Sequence, residues 1–283
     1  MILNPYRFSA AGGDYLLDTY TGAQAAYSLR VLATAFETAD LVIVRRSSGG
    51  ESSFNATEIA DGTMLAWVGT SGTDQASVTT WYDQSGNGLT MTNTTTAQQP
   101  KIVINGVQVV SNGEPAIDFD GSNDYLFNTS NLTYNSGLSY YSLCDIDVVV
   151  GRFFSDDITG AQGYFYAEAG ASGTVRLNDN DTGYELIATG TPALVQELRS
   201  FHFDSSTGDY EYAVDGSNTT GNLATWSDVA INSTNTANIA IGGAGNGGQN
   251  LNGKMQEFII YTTDESANRT SIEADINAHY SIY

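Results

Sequence analysis

Trp81-Tyr82-Asp83-Gln84-Ser85-Gly86-Asn87-Gly88, read together with Pro115-Ala116-Ile117-Asp118-Phe119-Asp120-Gly121-Ser122-Asn123-Asp124-Tyr125-Leu126, decides the fold of this chain. In both stretches aromatic or apolar residues run into a cluster of Gly, Asn, Asp and Ser, which accept left-handed backbone or hydrogen-bond their own turn. Short apolar strands closed by such turns are how an antiparallel sheet reads in sequence. Downstream of Trp81 these signals recur at short intervals, with Asn105-Gly106 as a two-residue hairpin between Ile102-Val103-Ile104 and Val107-Gln108-Val109-Val110. Upstream, Leu41-Val42-Ile43-Val44-Arg45-Arg46 reads as a strand. Helical spacing is confined to the ends. Residues 21–35 predict a helix with Thr21 as cap and Ala25, Leu29 and Leu32 on one side, and residues 264–280 predict a closing helix. No period of 20 to 50 residues repeats, which excludes a solenoid or propeller. The pattern predicts an all-β protein: two packed antiparallel sheets with short N-terminal and C-terminal helices, in one domain over residues 14–283. Residues 1–13 read as an arm ending in Ala10-Ala11-Gly12-Gly13.

Hydrophobic residues make up 41% and aromatics 11% of the 283 residues, enough for a sizeable core and too much for a disordered chain. Lys101 and Lys254 are the only lysines against 32 acids, and the formal net charge is -22. Such a surface repels nucleic acid phosphates and anionic lipid, so neither partner is expected. No stretch is long and apolar enough to span a bilayer, and Met1-Ile2-Leu3-Asn4-Pro5-Tyr6-Arg7-Phe8 lacks the form of an export signal, so none is expected. Cys144 has no intrachain partner and alternates with Ile146 and Val148, which predicts a buried structural thiol. With one cysteine and the separated His202 and His279, a zinc site of His and Cys ligands is not expected. Asp118, Asp120 and Asp124 surround a turn but do not complete a calcium loop, and Asn178-Asp179-Asn180-Asp181-Thr182-Gly183 reads as a hairpin turn. No cofactor and no metal are expected.

The two opening stretches resemble the strands of laminin-G-like, concanavalin A-like jelly rolls, particularly those of carbohydrate-binding proteins and of virion proteins of tailed bacteriophages. Residues 197–216, with Phe201-His202-Phe203, the Thr207-Gly208 turn and Tyr210-Glu211-Tyr212-Ala213-Val214-Asp215-Gly216, are similar to the paired strands of that fold ending in a Val-Asp-Gly turn. Ile239-Ala240-Ile241-Gly242-Gly243 and Gly253-Lys254-Met255-Gln256-Glu257-Phe258-Ile259-Ile260-Tyr261 are similar to its end. Tyr210, Tyr212 and Val214 are expected to face inward and Glu211 outward. As sugar contacts the sequence offers Tyr82 with Asp83, and the aromatics Trp67 and Trp226. The competing structural reading places Trp81 in the core and gives Asp83, Ser85 and Asn87 to the turn.

Tyr27-Ser28-Leu29-Arg30, Val44-Arg45-Arg46 and the Trp81 stretch also resemble the catalytic sandwich of fungal family 54 arabinofuranosidases. That resemblance implies two catalytic carboxylates. The chain departs from it in three ways. The family's adjacent cysteines are missing, its acid catalyst after Ile-Gly-Gly is replaced by Ala244-Gly245-Asn246, and its arabinose-binding trefoil is missing. The sequence therefore predicts a non-enzyme: a structural protein of a tailed phage virion, in the head or tail, assembled in the host cytoplasm and gripping a host surface glycan weakly. Asn4-Pro5-Tyr6-Arg7-Phe8, Ala26-Tyr27-Ser28-Leu29-Arg30 and Val44-Arg45-Arg46-Ser47-Ser48 resemble phage-encoded proteins and motivate this reading. Its partners would be other capsid or tail proteins and copies of itself, as a trimer, with Ile2, Leu3, Tyr6 and Phe8 docking the arm onto another chain. The alternatives are a bacterial carbohydrate-binding module and a glycoside hydrolase.

Overall fold

The computed structural model describes residues 15–130, 132, 136–156, 165–169, 173–177, 185–224, 226, 238–244 and 247–283. The arm, including Ile2, Leu3, Tyr6 and Phe8, and the Asn178–Gly183 turn lie outside them. The protein is all-β, and its strands pair antiparallel throughout. In the first sheet the order is Ser217–Asn222, Asp209–Val214, Gln196–Asp204, Gly137–Val148 and Asn252–Tyr261. The far edge of Asn252–Tyr261 is shared by Ala25–Ser28 and Ile117–Asp120. In the second sheet the order is Glu51–Asn55, Asp40–Arg46, Ala76–Trp81, Met91–Thr92, Leu126–Asn128, Ile239–Ile241, Arg152–Ser155, Phe165–Glu168, Thr174–Leu177 and Glu185–Ala188. Lys101–Ile104 joins the two, since Lys101 pairs with Ser77 on one side and Asp118 on the other.

The main core lies between the sheets and holds Trp81, Phe119, Tyr140, Phe154, Phe201 and Phe258. Phe154 and Phe258 stack at 4.8 Å between centroids, and Tyr140 stacks on both Phe201 and Phe258. A second core covers the outer face of the first sheet, where Leu16, Leu17, Ile272, Ile276 and Tyr280 pack on Ala26, Tyr141, Leu143, Leu198 and Ile259. The strand Asn252–Tyr261 is therefore buried on both faces from Met255 onward, which explains the continuous apolar run Phe258-Ile259-Ile260-Tyr261 at its end.

The same layering overrides the first predicted helix. Within residues 21–35 the structure has the strand Ala25–Ser28 and a 3-10 turn at Thr34–Phe36, preceded by the short helix Leu16–Thr19. Ala25 and Tyr27 enter the main core while Ala26 enters the second, and a strand pinched between two layers favours small side chains. The closing helix forms at Arg269–Tyr280. The hairpin turn has φ of 53° at Asn105 and 73° at Gly106, as a two-residue turn with both central residues left-handed requires. Cys144 is buried, and burial pushes its thiol up to about 12, so it is inert at neutral pH.

Tyr210 and Tyr212 pack on the main core as their register predicts, but Glu211 does not face water. Its carboxylate lies 2.6 Å from Arg269 of the closing helix, which also binds Glu273 at 2.7 Å. Beside this ion cluster His202 is fully buried edge-on to Tyr141, with neither ring nitrogen hydrogen-bonded. Burial, reinforced by the Arg269 charge, pushes the imidazole down to about 3 and keeps it neutral. Among the described residues no helix is long and apolar enough to cross a membrane.

Candidate functional site

The Trp81 turn is a clasp on the strand Ala25–Ser28. Trp81 is fully buried, its indole N–H donates to Ser28 O at 3.2 Å and its ring lies 5.8 Å from that of Tyr27. Gln84 accepts from Leu32 N and donates to Ser28 O and Arg30 O, while Asn87 donates to Ala23 O and Gln24 O. Asp83 is buried and accepts from Ala26 N, Ser85 N, Ser85 Oγ and Leu89 N at 2.8–3.0 Å. Four donors occupy both carboxylate oxygens, so Asp83 organises the turn and presents no acceptor to a sugar.

The aromatic candidates are half-buried and rest on different elements. Trp67 sits edge-on to Phe54, and the Arg46 guanidinium lies over its ring at 4.6 Å, occupying one face. Trp226 packs edge-on to Phe203 and donates its indole N–H to Ser205 O. Tyr82 follows the strand Ala76–Trp81 and is tied by its own N–H to Leu41 O.

The second decisive stretch gathers more unusual chemistry. Asp120 Oδ1 accepts from the N–H groups of Ser122, Asn123 and Asp124, and Asp124 Oδ2 accepts in return from Asp120 N at 3.3 Å. Two acids thus share one tight turn. Burial, and then the Asp120 charge, push the Asp124 carboxyl up to about 7, far above the ordinary carboxylate range. Asp118 is also raised, by burial and by Asp147 and Asp120, against the opposing pull of Lys254. Ser77, Lys101, Asp118, Lys254 and Asp145 lie opposite one another across successive strands, so both lysines sit beside acids in one alternating row. Lys101 is bonded to Ser77, and Lys254 lies within 3.6 Å of Asp145 and Asp147.

This turn packs against the loop that follows Ile239–Ile241. Asn250 Nδ2 donates to Asp124 O at 3.2 Å, Gly121 N donates to Leu251 O, and Asn252 Nδ2 donates to Asp120 O. Gly242 has φ of 77°, and a Cβ there would lie 2.2 Å from the Phe119 ring, so only glycine fits. Ala244, at the position after Ile-Gly-Gly, is buried and bonded through its N–H to Gly248 O. Asp124 does not stand out as an acid in the sequence. The spacing of Asp118, Asp120 and Asp124 was the available signal, but the chain does not state that a distant loop closes over them. Among the described residues no three His, Cys, Asp or Glu side chains are placed to hold a metal ion.

The chain superposes on an arabinofuranosidase of family GH54 soaked with a cyclic sulfate inhibitor, with TM-score 0.66 and 16% identity over 93% of this chain and 64% of that one. A complex of an arabinofuranosidase with arabinofuranosyl-α-1,2-xylobiose matches at 0.65, with the same identity and coverage. The binding domain of Paraclostridial Mosquitocidal Protein 1 matches at 0.50 and 13% identity, over 70% of this chain and 49% of that one. The chain thus spans about two thirds of the length of the arabinofuranosidases it resembles. No family model and no curated protein matches its sequence. The match corrects the expectation of a non-enzyme, which rested on missing residues alone: nearly the whole chain adopts a scaffold that, in arabinofuranosidases, accepts inhibitor and arabinofuranosyl oligosaccharide.

Proposed function

We propose that this chain is a carbohydrate-active protein on the arabinofuranosidase scaffold, cleaving arabinofuranosyl side groups from a polysaccharide with Asp124 as proton donor. One observation carries the reading: the carboxyl raised to about 7 belongs to the turn bonded to the Ile-Gly-Gly loop. The resemblance places an acid after Ile-Gly-Gly, and Ala244 stands there instead. Asp124 supplies a protonated carboxyl to the same neighbourhood from a different strand end. As the glycosidic C–O bond breaks, its electron pair and the Asp124 proton go to the departing oxygen; water then bonds to the anomeric carbon and gives up a proton to the Asp124 carboxylate, which restores the acid.

The test compares two substrates. Asp124→Asn is expected to lower kcat on arabinofuranosyl-α-1,2-xylobiose by about 100-fold or more. Turnover of 4-nitrophenyl α-L-arabinofuranoside should fall much less, because nitrophenolate departs without a proton. No hydrolysis of either substrate by the native chain, or equal losses on both, overturns the assignment.

The virion setting, with capsid or tail partners and a trimeric assembly, remains part of this proposal and is supported by the phage-like segments quoted above. An enzyme that trims or grips host polysaccharide suits a particle surface, where repeated weak sites add up. A solution mass three times 30.1 kDa supports the trimer, and a monomer refutes it.

A further inference from the structure

The outer face of the second sheet carries a polar depression of about 300 Å³, bordered by Arg45, Glu51, Thr80, Thr92, Thr94 and Thr96. Strand alternation places it there: Val42 and Val44 enter the main core, while Ile43 and Arg45 point the other way. Register then builds a row. Ser53, Ile43, Thr80, Thr92 and Phe127 lie opposite one another on successive strands, so two threonines stand side by side and half-buried Phe127 closes one end. The Phe127 ring is itself braced by stacking on Tyr125 at 5.6 Å.

The charged groups at the rim are complementary. Arg45 and Glu51 are cross-strand partners. The Arg45 Nε donates to Gln99 Oε1 at 2.7 Å, and Gln99 Nε2 donates to Asn93 O at 2.7 Å; Asn93 and Gln99 are both buried. The guanidinium is thus held in place from beneath. Among the described residues, no hydrogen bond or ion pair occupies the hydroxyls of Thr80, Thr92, Thr94 and Thr96 or the Glu51 carboxylate.

We infer that this depression is a secondary saccharide subsite, taking a short neutral stretch of the polysaccharide on the side chains of Thr80, Thr92, Glu51 and Arg45. The inference rests on the carbohydrate-active reading above. Several fixed donors and acceptors match the hydroxyls of a sugar, and the Phe127 ring beside Thr92 offers an apolar face for a ring carbon edge. One cation beside one acid leaves no net charge for a phosphate, and Ile43 alone is too little floor for an apolar ligand. Its volume is at the low end for small-molecule sites, which limits it to a short segment and to about millimolar affinity.

The experiment titrates xylotetraose and arabinotriose into isotopically labelled protein and follows backbone amide signals. Shifts should cluster at Thr80, Thr92, Glu51 and Phe127. Thr80→Val with Thr92→Val should weaken binding at least about fivefold, the loss expected from two hydrogen bonds, while nitrophenyl arabinofuranoside turnover stays unchanged. Valine suits a strand, and if that pair fails to fold, the exposed Glu51→Gln provides the same test. Asp124→Asn should bind as the native chain does. A native chain that binds these sugars but hydrolyses neither substrate of the catalytic test fells the catalytic proposal only. Shifts that gather elsewhere, no shift with either sugar, or unchanged affinity in a folded variant overturns the subsite.

Discussion

The turn after Trp81 and the turn after Phe119 are written in the same residues and reach opposite chemical ends. Each follows a buried aromatic and spends Asp, Gly, Ser and Asn on a sharp reversal. At Asp83 one carboxylate meets four donors, two of them from outside the turn, at Ala26 and Leu89. At the second turn two carboxylates compete: Asp120 collects three N–H groups and Asp124 collects one. Four donors bind Asp83 into the scaffold, whereas Asp124, with one, has its carboxyl raised by burial and by the Asp120 charge. The first turn is scaffold for that reason, and the second is where acid chemistry is proposed.

The strongest way to break this comparison is Asp83→Ala. It strands buried N–H groups and releases the clasp on Ala25–Ser28, and should cost about 3–5 kcal/mol by urea unfolding. A cost below about 1 kcal/mol would mean that the four donors do not bind Asp83 into the scaffold. His202 extends the comparison to a buried base with no acceptor at all. Its folded pKa of about 3 lies below the ordinary 6.5, so the unfolded chain binds the extra proton and stability is lost as pH falls from about 6.5 toward 3. Between pH 7 and 5 this contributes a loss of about 2 kcal/mol. His202→Phe should flatten that part of the pH profile, and an unchanged slope would show that the imidazole binds its proton as readily in the fold as in the unfolded chain.

The third effect has the opposite sign. Asp124 holds its proton to about 7 in the fold, against an ordinary 3.8. Here the folded form binds the extra proton, so stability is present at low pH and is lost as pH rises from about 4 through 7. Asp124→Asn should remove that loss, leaving the variant more stable than the native chain at pH 8 relative to pH 5. A thermal melt at the two pH values distinguishes the cases, and a native chain that gains stability over this interval while the variant does not would refute the assignment.

Much of the scaffold was legible. Trp81 in the core, the Asn105-Gly106 hairpin, the inward Tyr210 and Tyr212, the buried Cys144 and the closing helix all follow from alternation and turn chemistry, which act between neighbours in sequence. The helix expected over residues 21–35 failed because its periodicity was real but Ala25–Ser28 found a partner at Glu257–Ile260, more than 200 residues away. Glu211 was placed on the correct face of its strand, yet Arg269 arrives from the closing helix to cover it.

The sequence by itself determined an acidic, all-β sandwich with no disulfide within the chain, because composition and period-two patterning are local and additive. Tertiary structure alone decided which of its 32 acids are chemically distinct. Burial and neighbouring charge set a carboxyl's affinity for its proton, and both depend on which loops meet in space. Asp83 and Asp124 read alike in the chain, and only the strands and loops packed around them give one four donors and leave the other sharing its turn with Asp120.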